Sequence, residues 1–299
     1  MSRIYILALL TLMLAGCGGA DAVNTTQTEY ISQVPAEYFR ESESKGQVVI
    51  ETYRSRDYTL SDDAPITKTA YVYLPHGYDP SKRYDIFYLM HGWTMTAGSF
   101  FTDCNLVNML DNMIADWKIK PLVVVCATFD AENRPQSFYR STEELLVFHN
   151  DLRENLIPHI EAKYSTYSSR EHRAFGGFSL GAVTTWHQFI YCLDMFRYFL
   201  PMSGDCWIMG TYGGRYYPEE TARYLEGIAG SNDFFVWEGI GTNDPIFTQT
   251  DNQIQAMMRT QTFTPDKLHY GILQDGRHDF IACETYMYHA LQLFFGRDK

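Results

Sequence analysis

Apolar and polar residues along the chain follow patterns that predict strands first and alternating strands and helices later. Residues 48–53 and 69–74 have alternating or β-branched character, and Pro75-His76-Gly77 follows as a turn, which predicts two antiparallel strands. Residues 84–90 are apolar without polar alternation, a pattern typical of a strand in the middle of a covered sheet.

The pattern beyond this buried strand predicts a repeating strand–helix order. Further strands are predicted over residues 122–127, 172–175, 198–202, 233–239 and 268–273. Helices are predicted over residues 105–117, 142–163, 182–191, 218–228, 250–258 and 280–295, with Pro158 expected to kink or end the second. Repeated alternation of this kind predicts an α/β fold with a mainly parallel sheet covered by helices on both faces.

Length and composition agree with one large α/β domain. The chain has 299 residues, of which 45% are hydrophobic, enough for a sizeable core, and we expect residues 46–299 to form the domain. The formal net charge is -12 and no basic run is present. Nucleic acid is therefore not an expected partner, because phosphate contacts need clustered Lys and Arg.

The first residues have the pattern of an export signal. Arg3 gives a positive start, and residues 4–14 form an apolar run that is too short for an ordinary membrane-spanning helix. The run ends in Leu14-Ala15-Gly16-Cys17, which resembles the lipobox of bacterial lipoproteins. That resemblance implies a signal peptide over residues 1–16 and lipidation of Cys17. The alternative is a plain cleaved signal in which Cys17 has no role.

Residues 17–45 are expected to be a tether between the lipid anchor and the domain, because residues 20–45 are polar with little periodicity. The expected location is that of an exported lipoprotein, periplasmic or at the cell surface, which meets the membrane through its anchor alone. The five later cysteines show no Cys-x-x-Cys spacing, which argues against a zinc ribbon or a thioredoxin motif. An exported protein can form one disulfide, and the sequence does not select the two cysteines.

Gly177-Phe178-Ser179-Leu180-Gly181 fits the G-x-S-x-G nucleophile elbow of α/β-hydrolases. In this motif a serine lies on a tight turn between a strand and a helix, and the flanking glycines let the two elements approach. The predicted strand before it and the predicted helix after it supply that context. We therefore predict that Ser179 is a nucleophile, beside the positive end of a helix.

A serine nucleophile needs a histidine base and an acid. In this fold the three residues occur along the chain in the order serine, acid, histidine, and each follows the end of a strand. His278 comes just after the last predicted strand, whereas His172, His187, His269 and His289 lie inside helices or at strand starts. For the acid, Asp244 follows the strand over 233–239 and Asp205 follows the preceding strand. Position favours Asp244 and leaves Asp205 as the alternative.

An oxyanion hole needs two backbone N–H groups aimed at one point. Leu180, directly after the serine, supplies one, and the loop after residues 84–90 is expected to supply the second through Trp93, with Gly92 allowing the turn. His91 is interpreted as a brace of this loop rather than as a group that transfers protons.

Residues 68–295 resemble the feruloyl esterases of carbohydrate esterase family one, particularly the esterase modules attached to bacterial xylanases. The matching stretches include residues 88–92, 121–125, 163–167, the elbow with Thr184-Thr185-Trp186, 201–205 and 288–295. The resemblance implies the triad Ser179, Asp244 and His278, no metal or organic cofactor, and hydroxycinnamoyl esters of arabinoxylan as substrates. It also implies that Trp207 borders the phenolic ring, with Asp205 and Gly92 as further substrate-binding residues.

Two departures from that family bear on the substrate. Trp93-Thr94 stands where the family often has glycines, so a bulky side chain is expected to narrow or reshape the acyl pocket, and Cys206 stands where relatives commonly have another residue. Two alternatives stay open: an esterase of the same fold for acetyl or other acyl groups, and a catalytically inactive carbohydrate-binding lipoprotein. Trp207 could equally be an ordinary core tryptophan.

Overall fold

A central β-sheet organises the protein, whose computed structural model describes residues 27–60, 64–130 and 135–297. The strands of this described part are β1 (Thr28–Ile31), β2 (Gln47–Asp57), β3 (Ala64–Leu74), β4 (Asp85–Met90), β5 (Leu122–Ala127), β6 (Arg173–Phe178), β7 (Tyr198–Met202), β8 (Phe235–Gly241) and β9 (Leu268–Leu273). Their order in the sheet is β1-β9-β8-β7-β6-β4-β5-β3-β2. The pairs β2–β3 and β3–β5 are antiparallel, and all other neighbours are parallel, as predicted.

Helices cover both faces of the sheet. They are α1 (Ser99–Thr102), α2 (Leu106–Ala115), α3 (Phe138–Asp151), α4 (Ile157–Lys163), α5 (Leu180–Tyr191), α6 (Gly213–Tyr216), α7 (Pro218–Ala229), α8 (Phe247–Met258) and α9 (Phe280–Phe295). Apolar side chains of α1, α2 and α9 pack on one face, and those of α3, α4, α5, α7 and α8 pack on the other. Because β4, β5, β6 and β7 are buried along their whole length, their nearly continuous apolar sequences are explained by burial on both sides.

Pro158 does not end the long predicted helix. A π-helical turn over Leu152–Leu156 joins α3 to α4, and Pro158 lies in the first turn of α4, where a missing N–H is tolerated. The other predicted helices and strands are confirmed, with ends that differ by a few residues.

The amino-terminal segment belongs to the domain from residue 27 onward, so the expected tether is wrong for residues 27–45. β1 extends the sheet beside β9, with Tyr30 opposite Ile272. The side chain of Gln27 donates to the carbonyls of Phe263 and Leu268 at 2.7 and 3.2 Å. Sequence patterns missed this segment because a four-residue edge strand has too few positions to show a period.

The predicted signal peptide over residues 1–16, Cys17 and the start of the tether lie outside the described residues. Among the residues that are described, the helices are too short or too polar for any of them to cross a bilayer.

The sheet also determines where functional side chains gather. The loops that follow β4, β6, β7, β8 and β9 leave the carboxyl ends of neighbouring parallel strands. Loops in that arrangement meet at one edge of the sheet, which is where open α/β sheets bind their ligands.

Candidate active site

Ser179 lies on a strained turn between β6 and α5. Its φ and ψ are 59° and −115°, a conformation that non-glycine residues rarely adopt. A methyl group on Gly177 would overlap the carbonyl of Gly181, and one on Gly181 would overlap the carbonyl of Met90. The two glycines are therefore needed for the close approach of the strand, the helix and β4, and the nucleophile elbow is present.

A continuous chain of hydrogen bonds joins the three residues that sequence reasoning selected. The Nε2 atom of His278 lies 2.9 Å from the Oγ atom of Ser179. The Nδ1 atom of the same ring lies 2.9 and 3.1 Å from the two carboxylate oxygens of Asp244. With Nδ1 donating to the carboxylate, Nε2 is left as the acceptor for the serine hydroxyl proton, which is the arrangement of a general base.

Close contact between two loops brings Asp244 and His278 together. A methyl group on Gly241, at the end of β8, would overlap the backbone of Gly276, which lies in the loop after β9. The N–H of Asn243 donates to the carbonyl of Gly276 at 2.9 Å. The Asp244 side chain is fully buried, and its Oδ1 atom also accepts the N–H of Ile246 at 2.9 Å. Its position is thus held from both sides.

The competing histidines and aspartates have other surroundings. The His172 ring contacts Asp85 and stacks on Tyr167, and the Nε2 atom of His289 donates to the carbonyl of Ser32 at 2.8 Å. His187 is buried within α5, and His269 packs against Phe235 near the start of β9. Of the two candidate acids, Asp244 and Asp205, the structure brings Asp244 to His278.

The loop after β4 is held by His91, as expected. This ring is 1% exposed, and burial lowers its pKa to about 4, so it is neutral at pH 7. Its Nδ1 atom donates to the carbonyl of Gly92 at 2.8 Å, and its Nε2 atom accepts from the hydroxyl of Thr128 at 2.8 Å. Because the peptide bond is planar and trans, fixing the Gly92 carbonyl also fixes the opposite direction of the Trp93 N–H.

The backbone around the serine is suited to hold an oxyanion. Within the described residues, the N–H groups of Leu180 and Trp93 have no protein acceptor. Leu180 is the first residue of α5, so its N–H also carries the positive end of the helix dipole. Gly92 lies against the nucleophile, since a methyl group there would come 3.2 Å from the Cβ atom of Ser179. Its role is close approach rather than contact with an acyl group.

A cavity of about 120 Å³ opens beside Ser179. Its lining is largely aromatic and aliphatic, and includes Trp93, Phe138, Leu180, Val183, Trp207, Tyr212 and Ile246. Neighbouring rings in this wall touch: Phe138 lies 5.3 Å from Trp93 and 6.3 Å from Trp207, centroid to centroid. Trp207 also lies 5.5 Å from Tyr212. Trp207 is therefore a wall of the cavity and not an ordinary core tryptophan.

Asp205 also lines the cavity, and its carboxylate supports Trp207. Its Oδ1 atom accepts the indole N–H of Trp207 at 3.0 Å, and its Oδ2 atom accepts the N–H of Gly214 at 2.7 Å. Burial raises the pKa of the Asp205 carboxyl above its usual range. Since protein donors already engage both oxygens, Asp205 holds the segment between β7 and α6 in place.

Sequence reasoning missed Phe138, Tyr212 and Ile246 as cavity residues. Each lies in a segment whose position depends on packing between distant elements: the start of α3, the turn before α6, and the turn before α8. One local signal was available at Tyr212, which follows Gly210 in a run of glycines and tyrosines. Such a run is typical of an exposed loop, and exposed loops often carry binding residues.

The described residues contain no group of three or more His, Cys, Asp or Glu side chains placed to hold a metal ion. Cys104, Cys126, Cys192, Cys206 and Cys283 are all free thiols. Cys126 and Cys192 are buried core residues.

The fold and the hydrogen-bonded Ser179, His278 and Asp244 define a serine hydrolase of the α/β-hydrolase class. Within that class, the chain belongs to the family described as "Putative esterase", which matches residues 65–296.

Two curated relatives are similar in sequence. Endo-1,4-beta-xylanase Y of Acetivibrio thermocellus is 35% identical over 284 residues, which cover 87% of this chain and 24% of that protein. Endo-1,4-beta-xylanase/feruloyl esterase of Xylanibacter ruminicola is 34% identical over 161 residues, which cover 51% of this chain and 20% of that protein. The chain thus corresponds to about a quarter or less of the length of these relatives.

A solved structure is similar over nearly the whole domain. It is a serine-to-alanine mutant of the feruloyl esterase module from Clostridium thermocellum complexed with sinapinate, with 31% identity and a TM-score of 0.77. The match covers 91% of this chain and 95% of that one. This agreement confirms the fold and the resemblance to feruloyl esterases that the sequence indicated.

Proposed function

We propose that this protein is a serine carboxylesterase that releases hydroxycinnamates, of the ferulate and p-coumarate type, from arabinoxylan. The observation that carries the proposal is the position of Ser179. Its hydroxyl is hydrogen-bonded to His278, which is bonded to Asp244, and Ser179 also lines a cavity with aromatic walls. A planar aryl acyl group buries its faces well against such rings, and the serine oxygen lies at the cavity wall.

The reaction proceeds in two halves. His278 Nε2 takes the proton of the Ser179 hydroxyl as the serine oxygen attacks the ester carbonyl. The resulting oxyanion accepts hydrogen bonds from the N–H groups of Leu180 and Trp93. The imidazolium, stabilised by Asp244, then protonates the leaving sugar oxygen, and the acyl group remains on Ser179. A water molecule, deprotonated by His278, attacks the acyl-enzyme, and Ser179 leaves with the returned proton as the free acid forms.

Incubation with destarched cereal bran, followed by chromatography of the released acids, tests the proposal. Release of ferulic or p-coumaric acid by the native chain supports it, and Ser179→Ala is expected to lower the rate by about 10⁴-fold or more. Retention of most esterase activity by Ser179→Ala, or no release from bran or from methyl ferulate, would contradict it.

A second candidate is an esterase for acetyl groups, because the cavity is small, about 120 Å³. An acetyl group would leave the rings of Phe138, Trp207 and Tyr212 without contact, so the aromatic lining favours the aryl acyl group. Rates on methyl ferulate and on an acetyl ester with a matched leaving group separate the two. A higher kcat/KM on the acetyl ester would reverse the assignment.

We also propose that the chain is exported and anchored by a lipid on Cys17. The support is the sequence Leu14-Ala15-Gly16-Cys17 after a short apolar run. Palmitate labelling of cells that produce the native chain and the Cys17→Ser variant tests this. Label in the native chain alone is expected, whereas equal label, or none in either, would leave a plain signal peptide as the explanation.

A further inference from the structure

A second cavity, of about 280 Å³, lies at the opposite end of the sheet from Ser179. Two of its residues show this position: Pro121 directly precedes β5, and His76 follows the antiparallel strand β3. Ser179 instead follows the carboxyl end of β6. Since a six-residue strand spans about 20 Å, the second cavity is separate from the acyl cavity.

Trp117, on the wall of this cavity, occupies a position that usually holds glycine. Its φ is 59°, the left-handed conformation, and it directly follows Asp116, the C-terminal cap of α2. The N–H groups of Trp117 and Lys118 donate to the carbonyls of Ile114 and Met113 at 3.1 and 2.9 Å, the pattern that closes a helix through a left-handed residue. A bulky residue strains this conformation, whereas glycine does not.

Core packing does not account for the tryptophan side chain at this position. Trp117 is 58% exposed, so it adds little to the core. The guanidinium of Arg297 lies 3.8 Å from the centre of the indole and covers one face. An exposed ring with one face covered leaves its other face open to a ligand. Backbone strain of this kind is concentrated at binding and active sites.

Asp111 contributes an acceptor with unused capacity to the same cavity. The residue is 2% exposed, and its Oδ1 atom accepts from the Tyr73 hydroxyl at 2.6 Å and from the Gly46 N–H at 2.9 Å. Its Oδ2 atom has no partner among the described residues. A hydroxyl placed in the cavity can donate to this oxygen, since a carboxylate oxygen has more than one acceptor site.

We propose that this cavity binds an unesterified stretch of a xylan-type chain, separately from the catalytic site. The C–H face of a pyranose packs on the open face of Trp117, and a sugar hydroxyl donates to Oδ2 of Asp111. A neutral ligand is favoured over a cation, because the Arg297 guanidinium already lies against the ring. The choice of xylan among pyranose polymers rests on the proposed function.

Binding at this cavity would keep the enzyme on the polymer while Ser179 acts on esters along it. A second attachment raises the effective concentration of esters near the active site without any new contact at the reacting bond. Hydrolysis of methyl ferulate, which has no polymer, would be unaffected.

Isothermal titration calorimetry of the full chain with xylohexaose tests the proposal. Trp117→Gly and Asp111→Asn are each expected to raise the Kd at least tenfold, with kcat/KM on methyl ferulate within twofold of the native value. Glycine fits the left-handed conformation, so Trp117→Gly should keep or raise the Tm. The matched control is Tyr30→Ala, which removes another exposed aromatic ring, on β1, and should leave the Kd within twofold.

The proposal is overturned if the native chain does not bind xylohexaose, or if both cavity variants bind it as tightly as the native chain. These results do not depend on esterase activity. A chain that binds xylohexaose through Trp117 and Asp111 but releases no hydroxycinnamate would contradict the proposed function alone.

Discussion

Asp244→Asn is expected to lower kcat by about 10³ to 10⁴-fold while leaving the fold intact. The carboxylate lies 2.9 Å from Nδ1 of His278 and its side chain is fully buried. At the transition state His278 carries a positive charge, and two unit charges at that distance attract by about 6 kcal/mol at an effective dielectric constant of about 20. Since about 1.4 kcal/mol corresponds to a factor of ten, this is about four powers of ten in rate. The asparagine amide keeps part of the interaction, which lowers the expected loss.

The assay is steady-state hydrolysis of methyl ferulate, with Asp205→Asn and Asp233→Asn measured beside it. Asp233 lies at the opposite end of β8, in an exposed ion pair with Arg197, so its variant should keep the native kcat. Asp205→Asn loosens the support of Trp207 and should mainly raise KM, with less than a tenfold loss in kcat. A kcat for Asp244→Asn above one tenth of the native value would refute this reasoning. So would a loss in Asp205→Asn as large as that in Asp244→Asn.

Three further predictions concern other parts of the structure. His91→Phe keeps a ring but removes the donor at Nδ1, which leaves the Gly92 carbonyl with only the longer bond from the Met95 N–H at 3.3 Å, so kcat should fall about tenfold to hundredfold. His91→Asn restores a donor near Nδ1 and should recover part of the lost kcat, and equal kcat in both variants would argue against the brace. Trp207→Ala should raise KM for methyl ferulate more than for an acetyl ester, and equal effects would remove Trp207 from the acyl site. His187→Phe should raise the free energy of unfolding by about 1 to 3 kcal/mol at pH 7, because neither ring nitrogen has a partner among the described residues. Burial lowers the His187 pKa from 6.5 to about 4, so the unfolded chain binds the proton more readily and the native protein loses stability as the pH falls between those values; urea titrations should show the advantage of His187→Phe growing by about 3 kcal/mol over that range, and a constant difference would contradict it.

The residues of the hydrogen-bonded triad could be predicted because each is specified by local sequence and chain order. The glycines around Ser179 are required by the turn itself, and Asp244 and His278 each follow a strand that an apolar run marks. The sheet order β6-β7-β8-β9 repeats the order of these strands in the chain. Neighbours in sequence are therefore neighbours in space, and the order of elements was sufficient to choose His278.

The acyl cavity could not be predicted in the same way. Phe138 comes from the start of α3 and Trp93 from the loop after β4, and the two rings meet only because the sheet places those segments side by side. No periodic pattern or motif along the chain predicts a contact of this kind. The structural role of residues 27–45 was missed for the same reason, since the side chain of Gln27 reaches the carbonyls of Phe263 and Leu268, more than 200 positions away in the sequence.

The residues that carry out the reaction and most of the residues that select the acyl group therefore lie on different parts of the structure. The groups that move protons are tied to strand ends and to glycine contacts, such as that between Gly241 and Gly276, which admit almost no displacement. Part of the cavity wall comes from Phe138 at the start of α3 and from the turns before α6 and α8, none of which holds the Ser179–His278 contact. Exchange of Phe138 or Tyr212 can therefore alter which acyl group fits without moving the nucleophile. A change at Gly241 would instead displace Asp244 and reduce the rate on every ester alike.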